Sequence, residues 1–276
     1  MARSESIESA EPVRFDVREF ARTAHGSMRD ELDLASVAAA PLPRELCAEL
    51  AALAALEGAT MAHLRNVLVT HTHKDARVTA FLVTWAFEKF WIADALRAIV
   101  DASSDVADDG PVPVPGETEP DRATSGGRGP VRRAFAGFAQ GWAVVGAHMT
   151  LGLVDDLMLG AAYTRVAAGS SSAALHAAVE RIVAVKRRHT RFFDDEVSRR
   201  LSASAKAARL ARRELRRTTL PLGSAALTAD ERAGFTRFTF GGAVGSGLAA
   251  DLERRIAAVP GIDARTAAIV CAGLAR

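Results

Sequence analysis

Five ionisable residues interrupt otherwise apolar helical faces in this 276-residue chain: Glu57, Lys89, Asp156, Lys186 and His189. Around each of them, apolar residues recur three and four positions apart, which is the spacing of one face of an α-helix. A charge on a core-facing stripe is costly unless an opposite charge meets it. Two acids, two lysines and one histidine at similar depth therefore predict a buried charged centre.

Three kinds of chemistry are open to such a centre. Carboxylates and imidazoles bind iron or manganese, so Glu57, Asp156 and His189 are candidates for a single-metal site. A desolvated lysine can lose its proton and act as a base or as a Schiff-base nucleophile, which makes Lys89 and Lys186 candidates for catalysis. Alternatively, the charges only neutralise one another in a structural or small-molecule-binding protein. The residues alone do not decide whether the chain is an enzyme.

Other polar motifs are weaker signals. Histidines at 63, 71 and 73 and at 148 favour helix connections and core packing over metal binding, because no further ligand accompanies them. The serines at 170–172 predict a turn and a helix cap, since no partnered base or nucleophile elbow is present. The glycines between 242 and 247 match a phosphate loop poorly, because no strand precedes them.

Long helices must position the charged residues. The periodicity predicts a short helix and four long ones, with two pairs separated by a Pro- and Gly-rich, acidic stretch that reads as a solvated crossover. Shorter helices near 228–238, 247–259 and 263–275 are predicted to pack on one end of the bundle. The predicted long segments are 15–37 (the short helix), 43–70, 74–101, 130–168 and 173 into the 200s, with the crossover at 102–130.

The segments that carry the charges resemble the four helices of the ferritin-like superfamily. These segments are 56–65, 81–96, 152–163 and 186–193. More narrowly, the chain resembles ferritin-like proteins of unassigned function from high-GC bacteria. The resemblance covers most of residues 15–275. It implies an all-α, ferritin-like four-helix bundle of two antiparallel helix pairs joined by a long crossover, with an N-terminal helix and small C-terminal helices. The implied domains are a disordered 1–12, a bundle over 13–217 and a C-terminal extension over 218–276.

The resemblance also implies that the standard metal site is lost. Di-metal members of the superfamily take one Glu from one helix of each pair and a Glu-x-x-His from the other. In this chain Glu57 and Asp156 match the single carboxylates, Lys89 and Ile92 stand at the first Glu-x-x-His, and Lys186 and His189 stand at the second. We therefore expect two ammonium groups in place of two metal ions, and no cofactor. The alternative is a ferritin-like oxidoreductase that retains a single iron or manganese site.

Composition limits the cellular compartment and the kinds of partner that we expect for the protein. The net charge is +2, and the two cysteines, Cys47 and Cys271, are too few for a secreted disulfide scaffold. No signal peptide is visible, so a cytoplasmic protein is expected. The uncharged stretch 134–154 predicts a buried helix rather than a membrane span. The basic stretch 199–217 predicts a helix face that is solvated or paired with the acidic crossover at 105–121, rather than a site for anionic lipid or nucleic acid. An apolar small molecule in the bundle core is the expected partner, and an oligomer is left open.

Overall fold

The computed structural model describes residues 14–104 and 141–274, and these residues form α-helices without any strand. The all-α prediction is thereby confirmed. Short 3-10 turns cover Arg29–Glu31, His71–Lys74 and Ser224–Ala226. The helices are α1 (Val17–Arg22), α2 (Leu34–Ala39), α3 (Arg44–Gly58), α4 (Thr60–Leu68), α5 (Ala76–Ser104), α6 (Ala143–Ala168), α7 (Ala173–Ala203), α8 (Ala205–Leu215), α9 (Ala229–Phe240), α10 (Gly242–Ala257) and α11 (Ala264–Cys271).

The bundle consists of two helix pairs. Helix α3 packs on α5, and α6 packs on α7. The buried apolar residues fall into two clusters: one contains Phe81, Trp85 and Phe193, and the other contains Leu53 and Ile92. The predicted charged residues lie between these clusters along the helices. A band of buried polar residues therefore separates two apolar layers of the core.

The first long helix is divided, contrary to the prediction of one helix from 43 to about 70. Helix α3 ends at Gly58, and α4 begins at Thr60. The Thr60 hydroxyl donates a 2.7 Å hydrogen bond to the carbonyl oxygen of Glu57. A Cβ at Gly58 would lie 3.0 Å from the Arg97 guanidinium, so α5 approaches closely here. The break thus falls directly after Glu57.

The N-terminal segment is also divided, although one helix over 15–37 was predicted. After α1, the carbonyl oxygen of Thr23 accepts a hydrogen bond from Arg188, and the His25 N–H donates to Glu88 on α5. These contacts tie the backbone to the bundle in place of helical hydrogen bonds. Asp33 then caps α2 by accepting the Ser36 N–H.

The C-terminal extension packs along α3 and α6 and is not confined to one end of the bundle. Thr239 on α9 donates a 2.8 Å hydrogen bond to Glu49 on α3. The Leu222 N–H donates a 2.7 Å hydrogen bond to Asp155 on α6. The turn before α9 therefore reaches the band of buried polar residues.

Two further predictions concern the crossover before the third predicted helix and the end of the fourth predicted helix. Residues 105–140, which hold most of the predicted crossover and the start of the third predicted helix, lie outside the described residues. The fourth helix ends at Ala203, and Ser204 caps α8 by accepting the Ala207 N–H at 3.2 Å. By length and composition α6 could cross a membrane, but it is mostly buried in the bundle, as the core helix of a soluble protein would be.

Candidate functional site: a buried lysine–carboxylate centre

The predicted acids and lysines meet around Glu57, which is fully buried. Lys186 Nζ lies 2.9 Å from Glu57 Oε1, and Lys89 Nζ lies 2.9 Å from Glu57 Oε2. Lys186 Nζ also lies 2.7 Å from Asp156 Oδ1, and Lys89 Nζ lies 3.4 Å from Asp155 Oδ2. One carboxylate thus bridges two ammonium groups, and each ammonium contacts a second carboxyl. We call these five residues the lysine–carboxylate centre.

Neighbouring side chains on α5, α6 and α7 also contact the charged groups of the centre. On α5, Lys89 is one turn from Trp85, and its Nζ lies 4.9 Å from the centre of that ring. On α6, Tyr163 donates its hydroxyl to Glu57 Oε1 at 3.1 Å. Thr190 on α7 donates its hydroxyl to Asp156. Hydrogen bonds and a cation–π contact therefore supplement the ion pairs.

Electrostatics keep the centre charged but balanced. Burial alone would raise the pKa of Glu57, but the ammonium groups of Lys186 and Lys89 outweigh it and lower that pKa to about 2. Burial lowers the pKa of Lys186, but Asp156 and Glu57 outweigh it and raise that pKa above its usual value. Burial raises the pKa of Asp155 despite the nearby lysines. Protonation of Asp155 would leave two carboxylates facing two ammonium groups.

His189 pairs with Glu88 and not with a member of the lysine–carboxylate centre, where the sequence predicted it. Its Nε2 lies 2.7 Å from Glu88 Oε2 on α5, and both side chains are fully buried. Glu88 Oε1 accepts hydrogen bonds from the His25 N–H at 2.8 Å and from Arg188 at 3.2 Å. Burial lowers the pKa of His189 below its usual value, which favours the neutral imidazole.

Sequence reasoning missed Glu88 and Asp155 as members of the buried band, and it also missed the role of Tyr163. Each of the two acids adjoins a predicted residue: Glu88 precedes Lys89, and Asp155 precedes Asp156. The structure buries both residues of each pair. This is consistent with α5 and α6 being covered on more than one face, so that no single stripe describes them.

The remaining histidines lie apart from these contacts. His148 Nδ1 lies 2.8 Å from the Thr72 hydroxyl, and burial lowers the pKa of His148 to about 4. Burial, together with the Lys89 charge, lowers the pKa of His63 to about 4. The His71 ring contacts the Trp142 ring with centroids 6.4 Å apart. These contacts agree with packing roles at the end of the bundle.

The serine and glycine motifs have local structural roles. Ser172 caps α7 by accepting the Leu175 N–H at 3.3 Å. The glycine motif at 242–247 lies within α10, which is a helix and not a loop. In the basic stretch, Arg199 and Arg200 pair with Glu196, and Arg212 pairs with Asp263. Part of that basic charge is therefore neutralised within the described chain.

Comparison with known proteins identifies the fold. No family model matches the chain, and no curated protein matches it in sequence. Among solved structures, it is similar to a mutant of an R2-like ligand-binding oxidase with an anaerobically reconstituted Mn/Fe cofactor, with a TM-score of 0.52 and 13% identity over 97% of this chain and 92% of that one. The chain therefore has the ferritin-like fold, as the sequence predicted.

A di-metal cofactor of that kind does not fit the residues present here. Both oxygens of Glu57 face lysine ammonium groups, which cannot bind a cation while protonated. The oxygens of Asp156 face Lys186 and Thr190, and the His189 Nε2 faces Glu88. Over residues 14–104 and 141–274, no group of three or more His, Cys, Asp or Glu side chains is arranged to hold a metal ion.

Proposed function

We propose that this chain is a metal-independent, small-molecule-binding protein on the ferritin-like fold, in which two lysine ammonium groups replace two metal ions. The observation that carries the proposal is the pair of 2.9 Å contacts from Lys89 and Lys186 to the two oxygens of Glu57. Each lysine stands at a position where the family resemblance implies a metal-ligating glutamate, and its ammonium group supplies one positive charge there. The bundle centre is thus neutralised without a cation from solution.

A cleft beside the lysine–carboxylate centre supports the binding role. It has a volume of about 630 Å³ and lies between α6, α7 and α10. Asp156 and Thr190 contribute to its lining, and Leu153, Leu157 and Val259 contribute apolar surface. Arginines from α7 and α10 also line it, at positions 187, 191 and 255, against the single further acid Asp194. Apolar walls with an excess of guanidinium groups suit an organic anion with an apolar body.

The two enzyme alternatives have less support. A Schiff-base lysine must be neutral to attack a carbonyl, but the adjacent Asp156 and Glu57 raise the pKa of Lys186 above its usual value. A single-metal site on Glu57, Asp156 and His189 would require the two carboxylates to release the lysine ammonium groups, which lie 2.9 Å from both oxygens of Glu57 and 2.7 Å from Asp156 Oδ1. The lysine charges would also oppose a cation at Glu57.

Ligand binding can be tested with octanoate, an anion with an apolar chain. We expect octanoate to raise the melting temperature of the full-length protein in a saturable manner. Gly160 lines the cleft, and a Cβ added there meets nothing within 4 Å, so Gly160→Leu should fill space in the cleft without disturbing the fold. Gly247 on α10 is equally open but does not line this cleft, so Gly247→Leu is the matched control.

The proposal requires that octanoate stabilise the wild type and Gly247→Leu but not Gly160→Leu. Equal stabilisation of all three proteins would place the ligand elsewhere, and no stabilisation of the wild type would count against an anion site in this cleft. Stoichiometric iron or manganese in the purified protein would contradict the metal-independent centre itself.

A further inference from the structure

A second cavity lies on another side of the bundle, between α3, α6 and α9. Its volume is about 650 Å³, and no residue of the lysine–carboxylate centre lines it. Phe235 and Phe238 from α9 contribute aromatic surface, and Gly234 lines the cavity without a side chain. The cavity is therefore separate from the cleft assigned to the proposed function.

Glu49 is the buried polar group of this cavity. Its side chain lines the cavity although the residue is only 3% exposed. Glu49 Oε1 accepts a 2.8 Å hydrogen bond from the Thr239 hydroxyl, and Thr239 is itself fully buried. Within the described parts of the chain, no group donates to Glu49 Oε2. A buried carboxyl with one free oxygen lacks the cation or donors that would offset its burial.

The charges around Glu49 favour a cationic partner. The other lining acids are Glu45 on α3 and Asp230 and Glu231 on α9, and the lining bases are Arg165 on α6 and Arg237 on α9. Arg165 is already engaged, because its Nε donates to the Phe238 carbonyl oxygen at 3.1 Å and its guanidinium lies 5.7 Å from the Phe238 ring centre. Acids therefore outnumber bases around the Glu49 carboxyl group.

We propose that this cavity binds a small organic cation, a primary amine with an apolar or aromatic body. The ammonium group pairs with Glu49 Oε2, and the body packs against Phe235 and Phe238. Charge-assisted hydrogen bonds of this kind are among the stronger ones in proteins, more so where water is excluded. The inference does not depend on the proposed function, since it uses a different cavity and a ligand of opposite charge.

Binding should depend on pH in a characteristic direction. Burial raises the pKa of Glu49 to about 8, because only Thr239 stabilises its charge. At mildly acidic pH the free carboxyl is therefore protonated, and an ammonium ligand must displace that proton. Affinity for the amine should rise as the pH increases through about 8, as long as the amine itself remains protonated.

The probe is 2-phenylethylamine, with 2-phenylethanol as its neutral counterpart, titrated calorimetrically into the full-length protein. We expect saturable binding of the amine that strengthens with rising pH, and weaker, pH-independent binding of the alcohol. Glu49→Gln retains an acceptor for Thr239 but no charge. It should weaken amine binding by about tenfold or more and abolish the pH dependence.

A steric variant separates this site from general effects on the fold. A Cβ added at Gly234 meets nothing within 4 Å, and Gly234 lines the cavity, so the side chain of Gly234→Leu should occupy the cavity and prevent amine binding. Gly247→Leu again serves as the control with an equally open helical glycine. Melting curves check that each variant is folded.

Three results would overturn the inference. They are no saturable binding of the amine at any pH, equal affinity of the wild type and Glu49→Gln, or binding that survives Gly234→Leu. Loss of octanoate binding in Gly160→Leu concerns the other cleft and leaves this result unaffected. Failure of either site is therefore distinguishable from failure of the other.

Discussion

Replacing Lys89 with methionine perturbs the lysine–carboxylate centre most selectively, because it removes one ammonium group and keeps most of the side-chain volume. Lys89 is only 2% exposed and contacts Glu57 at 2.9 Å and Asp155 at 3.4 Å. Removing one partner of a buried ion pair typically costs about 3–5 kcal/mol, since the other partner is left charged and unpaired. Because Glu57 keeps its contact with Lys186, we expect Lys89→Met to lower the free energy of unfolding at neutral pH by about 3 kcal/mol, the lower end of that range.

The structure supports this magnitude through Glu57. The two lysines together lower the Glu57 pKa from 4.5 to about 2 against the effect of burial, which is a net stabilisation of the charged form by about 3 kcal/mol, and Lys89 supplies part of it beside its contact with Asp155. This stability is present above the pKa of the unfolded side chain and is lost as the pH falls towards 2. Without Lys89, the folded-state pKa of Glu57 rises, so the deficit of Lys89→Met should shrink as the pH is lowered.

Urea denaturation followed by circular dichroism, at neutral and mildly acidic pH, measures this effect. Lys206→Met is the matched control, because Lys206 is exposed on α8 and the same substitution there should cost less than about 0.5 kcal/mol. If Lys89→Met costs no more than Lys206→Met, Lys89 does not neutralise a buried carboxylate in solution. The ion-pair account of the centre would then be refuted.

Two further predictions concern packing and pH. A Cβ at Gly152 would lie 2.4 Å from the Phe193 ring, so Gly152→Ala should cost about 1–3 kcal/mol, whereas Gly160→Ala, which meets nothing within 4 Å, should be neutral or slightly stabilising. Equal melting temperatures of the two variants would contradict this packing. Burial lowers the pKa values of His63 and His148 from 6.5 to about 4, so the unfolded chain binds more protons than the folded chain between these pH values. The free energy of unfolding should therefore decrease as the pH is lowered from 6.5 to about 4. The double variant His63→Gln/His148→Gln should show a smaller fall in urea titrations, and an unchanged fall would assign the effect to other groups.

The ferritin-like fold was predictable because its signals are local and repeated. Apolar residues at helical spacing mark each long helix, and the charged interruptions fall at corresponding depths. The break between Gly58 and Thr60 was not predictable in this way. The apolar stripe continues through it, and the close approach of Arg97 from α5 to Gly58 is a contact that no periodicity reveals.

The candidate site was predictable only in part, for a related reason. Glu57, Lys89, Asp156 and Lys186 stand out because each interrupts an apolar stripe. Their partners come from elsewhere: Asp155 accepts a hydrogen bond from the backbone of Leu222, 67 residues away. Similarly, the Glu88 carboxylate contacts His189, Arg188 and the backbone N–H of His25. These partners offset the cost of burying Glu88, and the apolar spacing of α5 does not indicate them.

The pairing with Glu88 also explains why His189 has its hydrogen-bond partner outside the lysine–carboxylate centre. The sequence offered His189 as the surviving imidazole of a metal-binding motif, one turn from Lys186. A buried imidazole takes the nearest acceptor, and Glu88 Oε2 lies 2.7 Å from its Nε2. Recognising this from sequence alone would have required knowing that α5 presents Glu88 and Lys89 to different partners.

Metal content tests the central claim most directly. The protein should be purified without chelator or affinity-tag metal from cells grown with iron and manganese, and analysed by elemental mass spectrometry. The triple variant Lys89→Glu/Ile92→His/Lys186→Glu, which restores the ligand types implied by the fold resemblance, is the comparison protein. We predict substoichiometric metal in the wild type and an increase in the folded variant. One or two equivalents of iron or manganese in the wild type would show that the lysines do not replace the metal ions.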